Sequence, residues 1–147
     1  MVNIQIRRAV EERAKGRCEY CQSPRSYTPD DFSVEHIMPR SRAGTDDLDN
    51  LAWSCQACNN RKHTAIQALD PQTGLTAALY HPRTHSWGEH FRWSDDWLVL
   101  IGLTPTGRAT IARVDLNRDN VMGLRKVLVP AGIHPPDDKS SYEDQQP

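Results

Sequence analysis

Apolar and charged positions alternate on a helical period at the start of the chain. Ile6, Ala9, Val10, Arg13 and Ala14 recur at three- and four-residue steps between Asn3, a capping type, and Gly16, which predicts a helix over residues 4–15. Residues 22–31, "QSPRSYTPDD", are rich in Pro, Ser and Asp and read as loop. Phe32–Ile37 reads as a short strand ended by Pro39, residues 40–50 as a polar loop around Gly44, and Leu51–Ser54 as a second strand. Good helix formers from Gln56 predict a helix to Leu69, closed by Pro71 and Gly74. Beyond it "HFRW", "WLVLIGLT" and "RATIARV" are strand-like, with Thr104–Gly107, "TPTG", placed as a tight turn. Val121, Leu124 and Leu128 space a last helix with Asn117 as its cap.

These elements divide the 147 residues into an α+β core over 1–70, a strand/helix extension over 71–134 and a polar, Pro-containing tail over 135–147, expected to be disordered. The extension is expected to pack on the core through Trp87, Phe91 and Trp93. His81, His85 and His90 fall in its first part, where Pro82 argues against a helix that would align them on a metal. A net charge of -1 gives no global basic field, so any nucleic-acid contact must come from a local cluster. The N-terminal stretch lacks the pattern of a secretory signal, and no apolar run reaches membrane-spanning length. The expected compartment is a bacterial-type cytoplasm, with no membrane partner. Oligomeric state leaves no trace in the sequence.

All four cysteines fall in two Cys-x-x-Cys pairs, Cys18/Cys21 and Cys55/Cys58, with 33 residues between them. In a reducing compartment that pattern predicts a tetrahedral thiolate site for a structural Zn²⁺, closed to chemistry because four thiolates leave no open position. The insert between the pairs holds ligands of a different kind. Glu35 and His36 sit together on the first strand, Asn50 opens the second, and Asn59 and His63 lie four apart on the helix. Glu35 and Asn59 offer hard oxygen, suited to Mg²⁺ or Mn²⁺, and His63 could add a nitrogen. Histidine exchanges protons near neutral pH, so His36 can serve as a general base toward water. Arg40, Arg42, Arg61 and Lys62 flank this group and are candidate nucleic-acid contacts, with Asp46, Asp47 and Asp49 as the competing salt partners.

The run "CEYC" followed by "VEHIMPRSRAGTDDLDNLAWSCQACNNRKH" resembles the HNH endonucleases of the Cys-x-x-Cys zinc-containing type, in an HNN variant. The resemblance implies a ββα-metal finger stapled by the four-cysteine zinc site, with a small C-terminal β-hairpin plus helix appendage similar to the tail of small stand-alone bacterial proteins, many of them cyanobacterial. It implies that His36 is the general base, that Asn50 braces the hairpin and orients that base, and that Glu35 and Asn59 hold a catalytic divalent ion. His63 stands where colicin-type members carry a further ligand, and Lys62 at a frequent basic position on the helix. The implied activity is metal-dependent hydrolysis of phosphodiester bonds in DNA, with RNA left open, giving 5′-phosphate and 3′-hydroxyl ends. The rival reading is a zinc-stapled module that grips nucleic acid without cutting. The roles of the extension and of its three histidines are not legible.

Overall fold

The computed structural model describes residues 2–139. Two units divide at 66/67, four residues earlier than the sequence pattern places the boundary. The first unit opens with α1 (Ile4–Arg13), where the Asn3 side chain accepts from the Ile6 N–H at 2.9 Å and so caps one of the free N-terminal donors. Lys15 and Gly16 both take positive φ, which ends the helix and turns the chain into the first cysteine pair.

Strands β1 (Phe32–His36) and β2 (Leu51–Cys55) form an antiparallel hairpin that pairs Glu35 with Ala52 and His36 with Leu51. Every residue of β2 is buried. Helix α1 clamps the hairpin through its arginines. Arg13 donates to Leu48 O at 2.8 Å and to Leu51 O at 2.6 Å, while Arg7 donates to Phe32 O at 3.1 Å and lies over the Trp53 ring. Helix α2 (Gln56–Lys62) follows β2 directly. It stops seven residues short of the expected Leu69 because His63 adopts φ 52° and ends the ladder, and residues 67–69 are strand instead.

The second unit holds two hairpins, β3 (Gln67–Leu69) with β4 (Thr76–Ala78) and β5 (Phe91–Trp93) with β6 (Leu100–Gly102). A one-turn helix α3 (Trp87–His90) precedes β5, and α4 (Pro105–Val114) and α5 (Asp119–Leu128) follow β6. "RATIARV" is therefore helix, not strand. Thr104 caps α4 by accepting from the Gly107 N–H at 3.0 Å, and Pro105 takes the first-turn position where its missing N–H costs nothing. Asn117 does not cap α5; its amide bonds both backbone groups of Leu100, at 2.8 and 2.9 Å. Buried Arg125 ties this unit together, donating to Leu98 O, Leu116 O and Asn117 Oδ1 while stacked on Trp93. Of the expected tail, Asp137–Lys139 form a single 3-10 turn, and residues 140–147 lie outside the described residues. No helix among the described residues is long and apolar enough to cross a membrane.

Candidate metal centre and active site

The cysteines converge. Cys18 and Cys21 come from the turn after α1, Cys55 ends β2, and Cys58 lies in the first turn of α2. All four are buried and unbridged, and their Sγ atoms lie within 4.8 Å of one another. Sulfurs held at about 2.3 Å from a tetrahedral ion stand about 3.8 Å apart; Cys21 Sγ and Cys55 Sγ are 3.8 Å apart, far beyond disulfide length. Burial pushes the Cys18 thiol well above its ordinary value, while the hydrogen bond from Cys18 holds Cys21 well below it. Such a group shares protons until a cation displaces them, and four buried sulfurs in this arrangement suit zinc. Among the described residues this is the group of three or more His, Cys, Asp or Glu side chains close enough to hold a metal ion. His81, His85 and His90 are near one another but do not form one: His81 Nδ1 accepts from the Arg83 and Thr84 N–H groups, and His85 Nδ1 from the His81 N–H.

The zinc knuckle also reaches the insert. Glu19 accepts from the Trp53 N–H at 2.7 Å and donates its own N–H to Trp53 O at 2.8 Å, laying the first Cys-x-x-Cys turn along β2. Tyr20, next in the knuckle, donates its hydroxyl to Glu35 Oε2 at 2.6 Å. Burial, and after it the Glu35 charge, push the Tyr20 hydroxyl well above its ordinary value, so it remains a donor.

Glu35, His36, Asn59 and His63 line one shallow cleft of about 220 Å³, together with Val34, Pro39 and Arg40. Strand alternation still separates the first two. Glu35 points inward and is 3 % exposed, whereas the His36 ring lies at the strand end, where the chain leaves the sheet. Glu35 Oε1 receives Lys62 Nζ at 2.6 Å, and Lys62 also donates to Ile37 O at 3.1 Å. Lys62 is 1 % exposed, which corrects its expected place as a phosphate contact. Long cations are seldom this deep unless paired, and here the pairing carboxylate is on the neighbouring strand. His63 lines the same cleft from the end of α2. Its positive φ takes its backbone off the helical path, and its Nδ1 accepts from the Thr64 N–H at 2.8 Å.

Asn50 acts on the loop and not on a reacting atom. Its Oδ1 accepts from the Met38 N–H at 2.8 Å, and its Nδ2 donates to Met38 O and Thr45 O at 3.1 and 2.8 Å. Residues 38–45 are thereby closed into a fixed bend. Gly44 is obligatory there, since a Cβ would collide with the Met38 backbone oxygen. Sequence reasoning missed Asp46 except as a charge balance. Its Oδ1 lies 2.7 Å from His36 Nε2 and 2.8 Å from Arg40 Nη2, and the His36 bond, then Arg40, holds its carboxyl below the ordinary carboxylate range. Arg42 and Arg61 are exposed, with Arg42 bonding Thr64 O at 3.3 Å.

A hairpin, a bracing Asn, a following helix and two Cys-x-x-Cys turns on one sulfur cluster form a recognisable unit. Residues 18–65 match the family model described as HNH endonuclease. This HNH segment covers about a third of the chain and spans both cysteine pairs and the cleft. No curated protein and no solved structure matches. An HNH segment points to nuclease or DNA-binding function, and such segments usually work with a divalent ion.

The donor set of the cleft suits a hard cation, but as a weak site. Asn59 uses its Nδ2 toward Ser33 Oγ at 3.2 Å, and its Oδ1 has no hydrogen bond among the described residues. Each Glu35 oxygen keeps a second lone pair beside its Lys62 or Tyr20 bond. Lys62 cancels the charge that would otherwise attract a dication, so a substrate phosphate has to supply it, a common arrangement for Mg²⁺.

Proposed function

We propose that the HNH segment is a metal-dependent endonuclease that hydrolyses phosphodiester bonds in DNA. The observation that carries this is the shared cleft, which sets a histidine, a free amide oxygen, a carboxylate and Arg40 around one space. His36 accepts a proton from the attacking water. Glu35 and Asn59 would hold Mg²⁺ or Mn²⁺, which when bound neutralises charge growing on the phosphate and leaving oxygen. Arg40 at the cleft edge and the exposed Arg42 and Arg61 offer positive charge to the flanking phosphates. Zinc holds the fold and takes no part in the chemistry.

One observation favours the rival, a zinc-stapled module that binds nucleic acid without cutting: Lys62 already occupies the carboxylate an ion would need. Supercoiled plasmid incubated with the protein and Mg²⁺ or Mn²⁺ separates the two. The nuclease reading expects nicking that falls about 10²–10⁴-fold in His36→Ala, the usual range for a lost general base. Retardation of DNA without cutting under any ion supports the binding module, and equal nicking by both proteins points to a contaminant. The same assay on RNA sets the substrate preference.

A further inference from the structure

His36 has a partner on the β1–β2 loop that neither the strand nor the helix provides. Asp46 Oδ1 stands 2.7 Å from His36 Nε2, and Arg40 Nη2 donates to that same oxygen at 2.8 Å. Arg40 Nε also points at His36 Nε2, from 3.3 Å. One ring nitrogen cannot donate to a carboxylate and accept from a guanidinium at once. The 2.7 Å contact is shorter and ends on a charged oxygen, so it prevails. The ring proton then sits on Nε2, and the lone pair is on Nδ1. Among the described residues Nδ1 has no hydrogen-bond partner, and the ring, with 19 % of its side chain exposed, lies on the cleft wall.

The loop is constructed to present that carboxylate. Asn50 holds the residue before Asp46 by the Thr45 carbonyl, Gly44 lets the chain pass close under Met38, and Arg40 donates to the carboxylate oxygen that meets His36. We propose that Asp46 is a positioning residue for His36, keeping the ring proton on Nε2 so that Nδ1 accepts the proton of the attacking water. The inference rests on the nuclease reading. In the step, an O–H bond of water breaks and its proton goes to Nδ1. The water oxygen forms a bond to phosphorus as the bond from phosphorus to the 3′ oxygen breaks, and the leaving oxygen takes a proton from solvent. The imidazolium that results faces the Asp46 carboxylate until it passes its proton to water, the same logic by which a carboxylate serves a catalytic histidine elsewhere.

The test uses the full chain with ¹⁵N-labelled histidine, with the His36 ring signals assigned by their loss in His36→Ala. Long-range ¹H–¹⁵N spectra of the wild type are expected to show protonated Nε2 and bare Nδ1. Asp46→Ala is expected to give a mixture of tautomers at an unchanged fold. In plasmid nicking Asp46→Ala is expected to lose roughly 10–10²-fold in kcat with KM unchanged, less than for a buried triad carboxylate because Asp46 is exposed, and Asp46→Glu to recover part of it. A wild-type ring protonated on Nδ1 overturns the proposal. So does an Asp46→Ala protein with the wild-type tautomer and rate, or one that raises KM alone, which would place Asp46 in substrate binding through Arg40. A wild type that cuts nothing removes the nuclease reading, and the tautomer spectra then still decide whether Asp46 sets the ring.

Discussion

Lys62 shows most clearly what a single residue can conceal. It follows Cys58-Asn59 on a helix of polar residues, where a lysine is expected in solvent, yet it lies buried against Glu35, 27 positions away. Nothing local signals this, because the partner is on a strand whose pairing has to form first. Removing one member of a buried pair leaves an uncompensated charge, at a cost of about 3–5 kcal/mol. Lys62→Met is therefore expected to lower the stability of the first unit by that amount in denaturant titration, and the double variant Lys62→Met with Glu35→Gln to recover much of it. The same substitution should unmask the carboxylate. Mn²⁺ is expected to raise the midpoint of Lys62→Met more than that of the wild type; an identical response would count against Glu35 as an ion ligand. His36, Glu35 and Asn59 could be singled out from residue type and order alone, whereas Asp46 could not, because three acidic residues share its loop and only geometry tells them apart.

At the scale of elements, boundaries followed capping chemistry wherever it was local. Asn3, Gly16 and Pro39 each act within one turn, and α1 and β1 are legible for that reason. "RATIARV" misleads because its β-branched residues satisfy strand propensity, while the Thr104-Pro105 start commits them to a helix. The α2 helix ends early for a reason outside its own composition, the positive φ at His63 and the pairing of residues 67–69 with 76–78. Two outcomes belong at this scale. Metal analysis is expected to find about one zinc per chain, and its removal by a strong chelator to unfold the first unit as followed by circular dichroism, since ion binding and folding are coupled in such sites. Retention of the native spectrum without zinc would refute the staple. Gly44→Ala forces the 38–45 bend open, and it is expected to lower nicking while leaving the zinc content unchanged.

Over the whole molecule, the units are held by different means, sulfur and a buried ion pair in the first, an apolar core threaded by Arg125 in the second. The second also contains Asp70, wholly buried, which accepts from Arg108 Nε and Nη2 at 3.0 Å each and caps its own turn at Gln72 and Thr73. The Arg108 bond, above all, holds this carboxyl far below its ordinary range. A depressed native value means that its contribution is fully present above the unfolded pKa of about 3.9 and disappears as pH falls below that. Wild type and Asp70→Asn are therefore expected to differ in melting midpoint at pH 6 and to converge toward pH 2; a gap constant across that range would contradict the pairing. The cysteine spacing, the strand–loop–strand–helix order and the identity of the candidate proton acceptor could be read directly from the chain, because ligand type, capping and periodicity act over a few residues. The burial of Lys62 and the coupling of Asp46 to His36 depend on groups brought together only when the hairpin closes. Linear order does not carry distances of about 3 Å, the reach of a hydrogen bond, between residues that far apart along the backbone.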